Sequence, residues 1–315
     1  MHKKISVGAA LTIAIITIIV TAVITTAVTM NIYSGLIADL PEREKMYDSL
    51  AEVDNIIRSN YIGDPGQKAI NSGLASGYTA SLTVGLNYTM TAEEYSEYKI
   101  RQSGTDKTGA AIPTVEYKKF GSAGYVRISD FTANTASEFA AAYKILKDNA
   151  VTGLIIDVRN NNSINIASAA AVIDKIVPLA SEGIQAIAAA IDKNGSNLEI
   201  FSADSESIDL PVSVIVNENT SGAGELLACD IRDFGKGTVV GKTTAGNGMY
   251  QKVFELSDGG AVVLTVAKLM PYTSDNYDGV GIIPDYESEL AQQTDDLNSD
   301  TQFLQAYASV TTMRN

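Results

Sequence analysis

The apolar and polar positions divide the chain into an apolar start, a helical stretch and an alternating body. Residues 5–38 carry no charged side chain, and residues 7–30 are their most apolar part. As a helix, residues 7–30 would be roughly 36 Å long, enough to cross a bilayer with some tilt. We therefore predict a cytoplasmic tip and an uncleaved transmembrane anchor within residues 1–38, with membrane contact through residues 5–38.

The charges around this apolar stretch predict its orientation. Lys3 and Lys4 precede it, whereas Asp39 and Glu42 follow it. The positive-inside rule then places the N-terminus in the cytoplasm and the body outside it, as in a single-pass protein of the cell membrane. A cleaved signal peptide is the rival interpretation, but its apolar region is usually only about 7–15 residues long.

A helical segment is predicted over residues 39–100. Apolar side chains recur at helical spacing between Pro41 and Tyr61, and residues 91–94 (TAEE) resemble a capping box that opens a further helix. The polar, glycine-containing stretch that follows is interpreted as a linker over residues 101–123.

From residue 124 the chain alternates between strand and helix patterns. Residues 124–131 (GYVRISDF) alternate as a strand does, and residues 154–158 (LIIDV) form a continuous apolar run typical of a strand buried on both faces. A helix is predicted at 222–232 and a last one at 295–309, within a C-terminal segment 291–315. Such alternation predicts an α/β fold with its core at residues 124–290.

Composition excludes several classes of function. The formal net charge is −14, from 37 acidic and 23 basic residues, which argues against a nucleic-acid partner. Cys229 is the only cysteine and His2 the only histidine. A Ser-His-Asp triad and a histidine zinc site are therefore excluded, and no metal or cofactor is expected. Cys229 is predicted to be a packed core thiol.

Five segments together resemble the carboxyl-terminal processing peptidases, also called tail-specific serine proteases. Each matches a motif of that family, and the five occur in the family's order. They are GYVRISDF (124–131), LIIDVRNN (154–161), NENTSGAGE (217–225), the stretch from Asp233 to Gln251, and GVGIIPD (279–285). The resemblance implies a crotonase-like (ClpP/crotonase type) ββα core and a serine nucleophile activated by a lysine base.

The chain departs from that site at the residues that carry the chemistry. Gly222 occupies the position of the serine nucleophile, and Asn247 that of the lysine base. A glycine cannot attack a carbonyl, and an amide has no useful basicity near neutral pH. The oxyanion candidates are Ala223 and Ser163, the latter where the family has a glycine. Gln251, which supports the lysine in the family, persists.

The resemblance also implies a peptide-binding PDZ domain, which only the 101–123 linker would replace here. We therefore predict a degenerate member of the family, lacking the PDZ domain and the Ser/Lys dyad. It would be a pseudoprotease that binds peptides, protein C-termini or another partner without cutting. If only two side chains were lost, Gly222→Ser with Asn247→Lys should recover some hydrolysis.

Two alternatives stay open. One is an active serine peptidase with a displaced dyad, in which Ser221 is the nucleophile and Lys242 or Lys252 the base. The structural alternative to a catalytic role is that Ser221 or Thr220 caps the following helix through its hydroxyl. The other alternative is a structural subunit of an active homologue.

The polar pair Asp157 and Arg159 flanks the apolar run LIIDV. A structural ion pair at the strand end is the favoured interpretation, and the alternative is the binding of a substrate carboxylate.

Overall fold

The structure is a computed structural model that describes residues 7–38, 40–178, 185–204, 207–290, 294 and 296–312. The chain divides into two compact units, residues 1–71 and 72–315. The first unit contains helices α1 (Val7–Ala38) and α2 (Leu40–Asn60). Helix α3 (Gln67–Ala80) follows them.

The predicted transmembrane helix is not found. Of the helices whose residues the structure describes, none is both long enough and apolar enough to span a membrane. Residues 1–6 and 39, which also entered the prediction, lie outside the described residues.

The second unit contains a six-stranded sheet. Its strands are β2 (Val115–Phe120), β3 (Ala123–Ile128), β4 (Gly153–Asp157), β7 (Val212–Val216), β8 (Gly237–Gly241) and β11 (Tyr286–Glu287). They lie in the order β11-β8-β7-β4-β3-β2, and all neighbours are parallel except β2 and β3. The α/β class is thus confirmed, whereas the crotonase-like superhelix stays a prediction.

A second, antiparallel sheet has five strands. The strands are β1 (Tyr88–Met90), β5 (Gln185–Asp192), β6 (Asn197–Ala203), β9 (Met249–Glu255) and β10 (Ala261–Met270). Strand β10 pairs with β1, β5 and β9, and β5 pairs with β6.

Helices cover both faces of the parallel sheet, which explains the continuous apolar run of β4. On one face, Phe131 and Phe139 lie in the main core together with Leu154. On the other, Phe303 packs beside Ile155. The helices of this unit are α4 (Ala92–Gln102), α5 (Thr135–Asp148), α6 (Ile166–Ile173), α7 (Ala223–Asp233) and α8 (Thr301–Thr312).

Three local predictions have clear outcomes. The capping box at Thr91 is confirmed, because its hydroxyl accepts from the Glu94 N–H and the Glu94 carboxylate accepts from the Thr91 N–H. Residues 101–123 are not a bare linker, since 115–120 form β2 against β3. The last helix begins at Thr301 rather than at residue 295, because the Asp300 carboxylate accepts the N–H of Phe303 (2.9 Å) and caps it.

Candidate functional site

The site is built around the turn between β7 and α7. Thr220 fixes this turn, because its buried hydroxyl donates to the Val158 carbonyl (3.0 Å) and accepts from the Asn217 N–H (3.0 Å). Gly222 is the N-cap of α7 with φ 58° and ψ −107°. Glycine adopts this left-handed φ without a steric penalty, whereas other residues are strained there.

Glu225 joins the helix to the loop that carries Asn247. Its carboxylate is fully buried and accepts from the N–H groups of Gly222 (2.9 Å), Gly246 (2.6 Å) and Asn247 (2.8 Å). The Thr244 hydroxyl also donates to it. One buried carboxylate thus holds the backbones of the two positions at which the family resemblance expects the nucleophile and the base.

The two positions face each other. A Cβ atom built on Gly222 would lie 3.4 Å from Asn247 Nδ2. The Gln251 side chain sets this orientation, because its Nε2 donates to Asn247 Oδ1 (3.1 Å). Asn247 therefore turns a hydrogen-bond donor toward position 222. A base must accept a proton from its nucleophile, and an amide is too weakly basic to do so near neutral pH.

The backbone amides expected to stabilise an oxyanion are already occupied. The Ala223 N–H donates to the Ser163 carbonyl (2.8 Å), and the Ser163 N–H donates to Asn161 Oδ1 (3.2 Å). The same Ser163 carbonyl oxygen lies 2.7 Å from the Cβ position of Gly222. The Ser163 carbonyl thus accepts the Ala223 N–H and also fills the space that a side chain at position 222 would need.

Ser221 has a different environment from the one its capping role predicts. Neither it nor Thr220 caps α7, because the N–H at the helix start is held by Glu225 instead. Ser221 is half-buried, and its own N–H donates to the Asn161 carbonyl (2.8 Å). The prediction of a hydroxyl cap is therefore wrong.

The two lysines proposed as displaced bases are engaged elsewhere. Lys242 Nζ lies 2.7 Å from Glu289, and this hydrogen bond raises the pKa of Lys242. Lys252 Nζ lies 3.5 Å from Glu199. The raised pKa of Lys242 keeps its amine protonated, which is the wrong state for a general base.

Arg159 lies in a buried ion-pair network at the end of β4. Its guanidinium contacts Asp157 (2.6 Å), Asp300 (2.8 Å) and Gln302 (3.0 Å). Both carboxylates are almost fully buried, and the Tyr125 hydroxyl donates to Asp157 (2.7 Å). The prediction of a structural ion pair is confirmed.

Sequence reasoning overlooked the polar groups beneath the site. Asp230 is fully buried on α7, and burial raises its pKa well above the ordinary value. Among the described residues, three buried polar atoms have no hydrogen-bond partner, namely Asp230 Oδ2, Gln251 Oε1 and the Tyr277 hydroxyl. Cys229 is buried as predicted, and its burial, followed by the charges of Asp233 and Asp230, raises its pKa to about 12.

Comparisons with known proteins agree with this architecture. The chain is 33% identical over 187 residues to a chloroplastic C-terminal processing peptidase of Tetradesmus obliquus, covering 56% of this chain and 37% of that protein. It is 34% identical over 165 residues to a carboxyl-terminal-processing protease of Synechocystis sp., covering 52% and 37% respectively. The chain thus spans less than half the length of these relatives.

Comparison with solved structures also finds similar folds. A photosystem II D1 C-terminal processing protease superposes with a TM-score of 0.51 at 28% identity, covering 61% of this chain and 52% of that one. A lipoprotein from Streptococcus agalactiae has a TM-score of 0.58 at 14% identity, covering 78% and 83%, a similarity of fold alone. The sequence model of peptidase family S41 matches residues 122–288, more than half of the chain. The chain therefore belongs to peptidase family S41.

Proposed function

We propose that this chain is a non-cleaving member of its family, which holds a peptide or protein C-terminus in the former catalytic cleft. The observation that carries the proposal is the surroundings of Gly222, which stands at the nucleophile position. This residue has no side chain, and its Cβ position would lie 2.7 Å from the Ser163 carbonyl oxygen and 3.4 Å from Asn247 Nδ2. Removing the nucleophile of a serine peptidase costs on the order of a million-fold in turnover, and losing the base as well adds little.

Binding is supported by groups around the site that remain open to a ligand. Asn247 is only partly buried, so a peptide carbonyl can reach its amide. The side chain of Val280 is 65% exposed beside this loop, and its backbone nitrogen, which donates to the Tyr277 carbonyl (3.1 Å), lies 3.1 Å from the Cβ position of Gly246. The Asn247 amide together with this exposed apolar side chain suits a peptide with an apolar residue near its end.

The experiment combines binding and cleavage on the same peptides. The purified full chain is incubated with fluorescent peptides that end in alanine, valine or leucine with a free carboxylate. We expect saturable anisotropy changes, weakened by Val280→Glu but not by Glu218→Gln on an exposed turn, and intact peptides by mass spectrometry. Binding that Val280→Glu leaves unchanged would contradict the proposed cleft, and cleaved peptides would contradict the inactivity.

A further inference from the structure

A cavity of about 600 Å³ lies in the second unit and, among the described residues, shares none of its lining with the site around Gly222. Helix α4, strand β1 and the loop at 105–112 form its walls. Tyr88, Met90 and Tyr98 line it and belong to a small core cluster that includes residues of β10, with which β1 pairs. A cavity of this size with apolar walls and a few polar groups is typical of a site for a small ligand.

The loop that closes the cavity is held by its own hydrogen bonds. The Asp106 carboxylate accepts the N–H groups of Thr108 (2.7 Å) and Ala110 (3.0 Å). The Ile112 N–H donates to the Gly104 carbonyl (2.9 Å). Because these bonds form within the loop itself, the cavity wall exists before any ligand binds, and binding does not have to order it.

The acidic residues of the cavity are committed to contacts within the protein. Besides Asp106, they are Glu94 and Glu97. The Glu94 carboxylate accepts a backbone N–H in its capping box (2.8 Å), and Glu97 accepts from Lys107 Nζ (2.6 Å). Glu94 also lies seven residues before Arg101, roughly 10 Å along the helix axis. The acidic groups are thus paired or remote from the Arg101 guanidinium.

The donors of the cavity, in contrast, are unfilled. Neither the Tyr88 nor the Tyr98 hydroxyl hydrogen-bonds to any residue that the structure describes. The nearest described carboxylate to Arg101 is Asp130, whose Oδ2 lies 3.8 Å from the Arg101 Nε, too far for a hydrogen bond. The guanidinium lies 5.8 Å from the centre of the Tyr98 ring. Burial raises the pKa of both tyrosines, so their hydroxyls stay protonated and able to donate.

Three open donors favour a negatively charged acceptor as the ligand. A carboxylate accepts two parallel N–H bonds from a guanidinium and further bonds from hydroxyls. The tyrosine rings and Ile112, which is 47% exposed, offer apolar contacts to the rest of such a ligand. We propose that the cavity binds the carboxylate of a ligand with an apolar body, held by Arg101, Tyr88 and Tyr98. This inference does not depend on the function proposed for the cleft at Gly222.

A carboxylic acid and its amide test the proposal directly. Phenylacetate and phenylacetamide have nearly the same shape, but only the acid carries a charge. Each compound is titrated into the purified full chain near neutral pH by isothermal calorimetry. We expect the wild type to bind phenylacetate at least about 10-fold more tightly than phenylacetamide. Equal affinities, or no binding of either compound, would overturn the proposal.

Variants of α4 and β1 identify the groups that hold the acid. Arg101→Gln should weaken phenylacetate binding by about 10-fold or more, and Tyr88→Phe with Tyr98→Phe, which keeps both rings, by about 3- to 10-fold. Lys99→Gln is the matched control, because it removes a charge from the exposed surface of the same helix outside the cavity. Binding that Arg101→Gln leaves unchanged would overturn the proposal, as would an equal loss in Lys99→Gln.

The same chemistry has two sources, a small free acid and the C-terminus of a peptide. A short peptide ending in phenylalanine is therefore compared with its amidated form in the wild type, Arg101→Gln and Val280→Glu. Binding that needs the free carboxylate and Arg101 but not Val280 assigns a peptide C-terminus to this cavity. If phenylacetate binding depends on Arg101 and peptide binding does not, the ligand is a small acid.

Discussion

The Glu225 carboxylate accepts the backbone N–H of Asn247 at 2.8 Å from within a fully buried position. The same Oε2 atom accepts the N–H of Gly222 at 2.9 Å. The geometry that brings the nucleophile and base positions together is therefore carried by a residue that takes part in neither role. Because this anchor does not depend on the side chains at 222 and 247, it can hold the two backbones together whichever residues stand at those positions.

Glu225 is accordingly expected to matter for stability. In Glu225→Gln, an NH₂ group replaces one acceptor oxygen: at the Oε2 position it leaves the N–H groups of Gly222 and Asn247 without this partner, and at the Oε1 position that of Gly246. We expect a loss of about 2–4 kcal/mol in the free energy of unfolding, measured by urea titration. The control Glu218→Gln, on an exposed turn, should change it by less than about 0.5 kcal/mol. Equal effects of the two substitutions would show that the buried contacts do not carry this energy.

Restoring the two lost side chains alone is expected to fail. In Gly222→Ser with Asn247→Lys, the new Cβ would meet the Ser163 carbonyl at 2.7 Å, and the Ala223 N–H would stay occupied. The sequence-based expectation that this pair recovers hydrolysis assumed an open site. Peptide turnover should appear only when residues 162–164 are also changed to Pro-Gly-Gly, the family's sequence, which allows that carbonyl to move away.

A stability measurement separates the steric part of this argument from the catalytic part. Gly222→Ala adds the same Cβ without a hydroxyl, so it should lose as much stability as Gly222→Ser. We expect a loss of about 1–3 kcal/mol from the left-handed φ alone. If Gly222→Ser with Asn247→Lys hydrolyses peptides while residues 162–164 are unchanged, the Ser163 carbonyl does not block the site.

Asp230 predicts a specific dependence of stability on pH. Burial raises its pKa in the folded state, so between the unfolded value of about 3.9 and the raised value the folded chain holds a proton that the unfolded chain has released. More protons bound in the folded state means that this contribution weakens as pH rises from about 4. Asp230→Asn removes the titration and still accepts the Tyr272 N–H.

The difference in the free energy of unfolding between Asp230→Asn and the wild type separates the contribution of Asp230 from that of the other acidic residues. We expect the variant to be more stable by about 1–3 kcal/mol near pH 8, with the advantage shrinking toward pH 4, in parallel urea titrations. A difference that stays constant across this range would show that Asp230 has the same pKa in both states.

Removal of the Arg159 cation should lower the stability of the fold, because its two buried carboxylate partners would remain. Arg159→Met leaves two buried carboxylates, Asp157 and Asp300, next to each other without a counter-charge. A loss of about 3–5 kcal/mol is expected by thermal or urea unfolding. Arg127→Met is the matched control, because Arg127 is half-buried and makes no ion pair within the described part of the chain. Similar losses for both variants would argue against a special role for the network.

Local patterns predicted those parts of the fold that local interactions determine. The capping box at Thr91 and the buried strand at 154–158 are examples, because a few neighbouring residues specify each of them. Strand β6, in contrast, was overlooked, since it depends on pairing with β5 across a turn. The start of the last helix was placed too early, because the choice of Asp300 as its cap is tied to the distant Arg159.

The candidate site was predicted in its positions but not in its geometry. The resemblance to the tail-specific proteases pointed to Gly222, Asn247 and Gln251, which the structure brings together. The Ser163 carbonyl beside Gly222 was not predictable, because the direction of a peptide group leaves no mark on residue type. The pattern Gly222-x-x-Glu225, half of a capping box, was the signal that could have revealed the anchor.

Peptide hydrolysis by the purified full chain, compared with its Ser221→Ala variant, tests the central claim most directly. Unfolded protein and peptides with apolar C-termini are the substrates, and new termini are counted by mass spectrometry. The account predicts no turnover above buffer for either protein. Turnover by the wild type that disappears in Ser221→Ala would contradict it and would identify Ser221 as a working nucleophile.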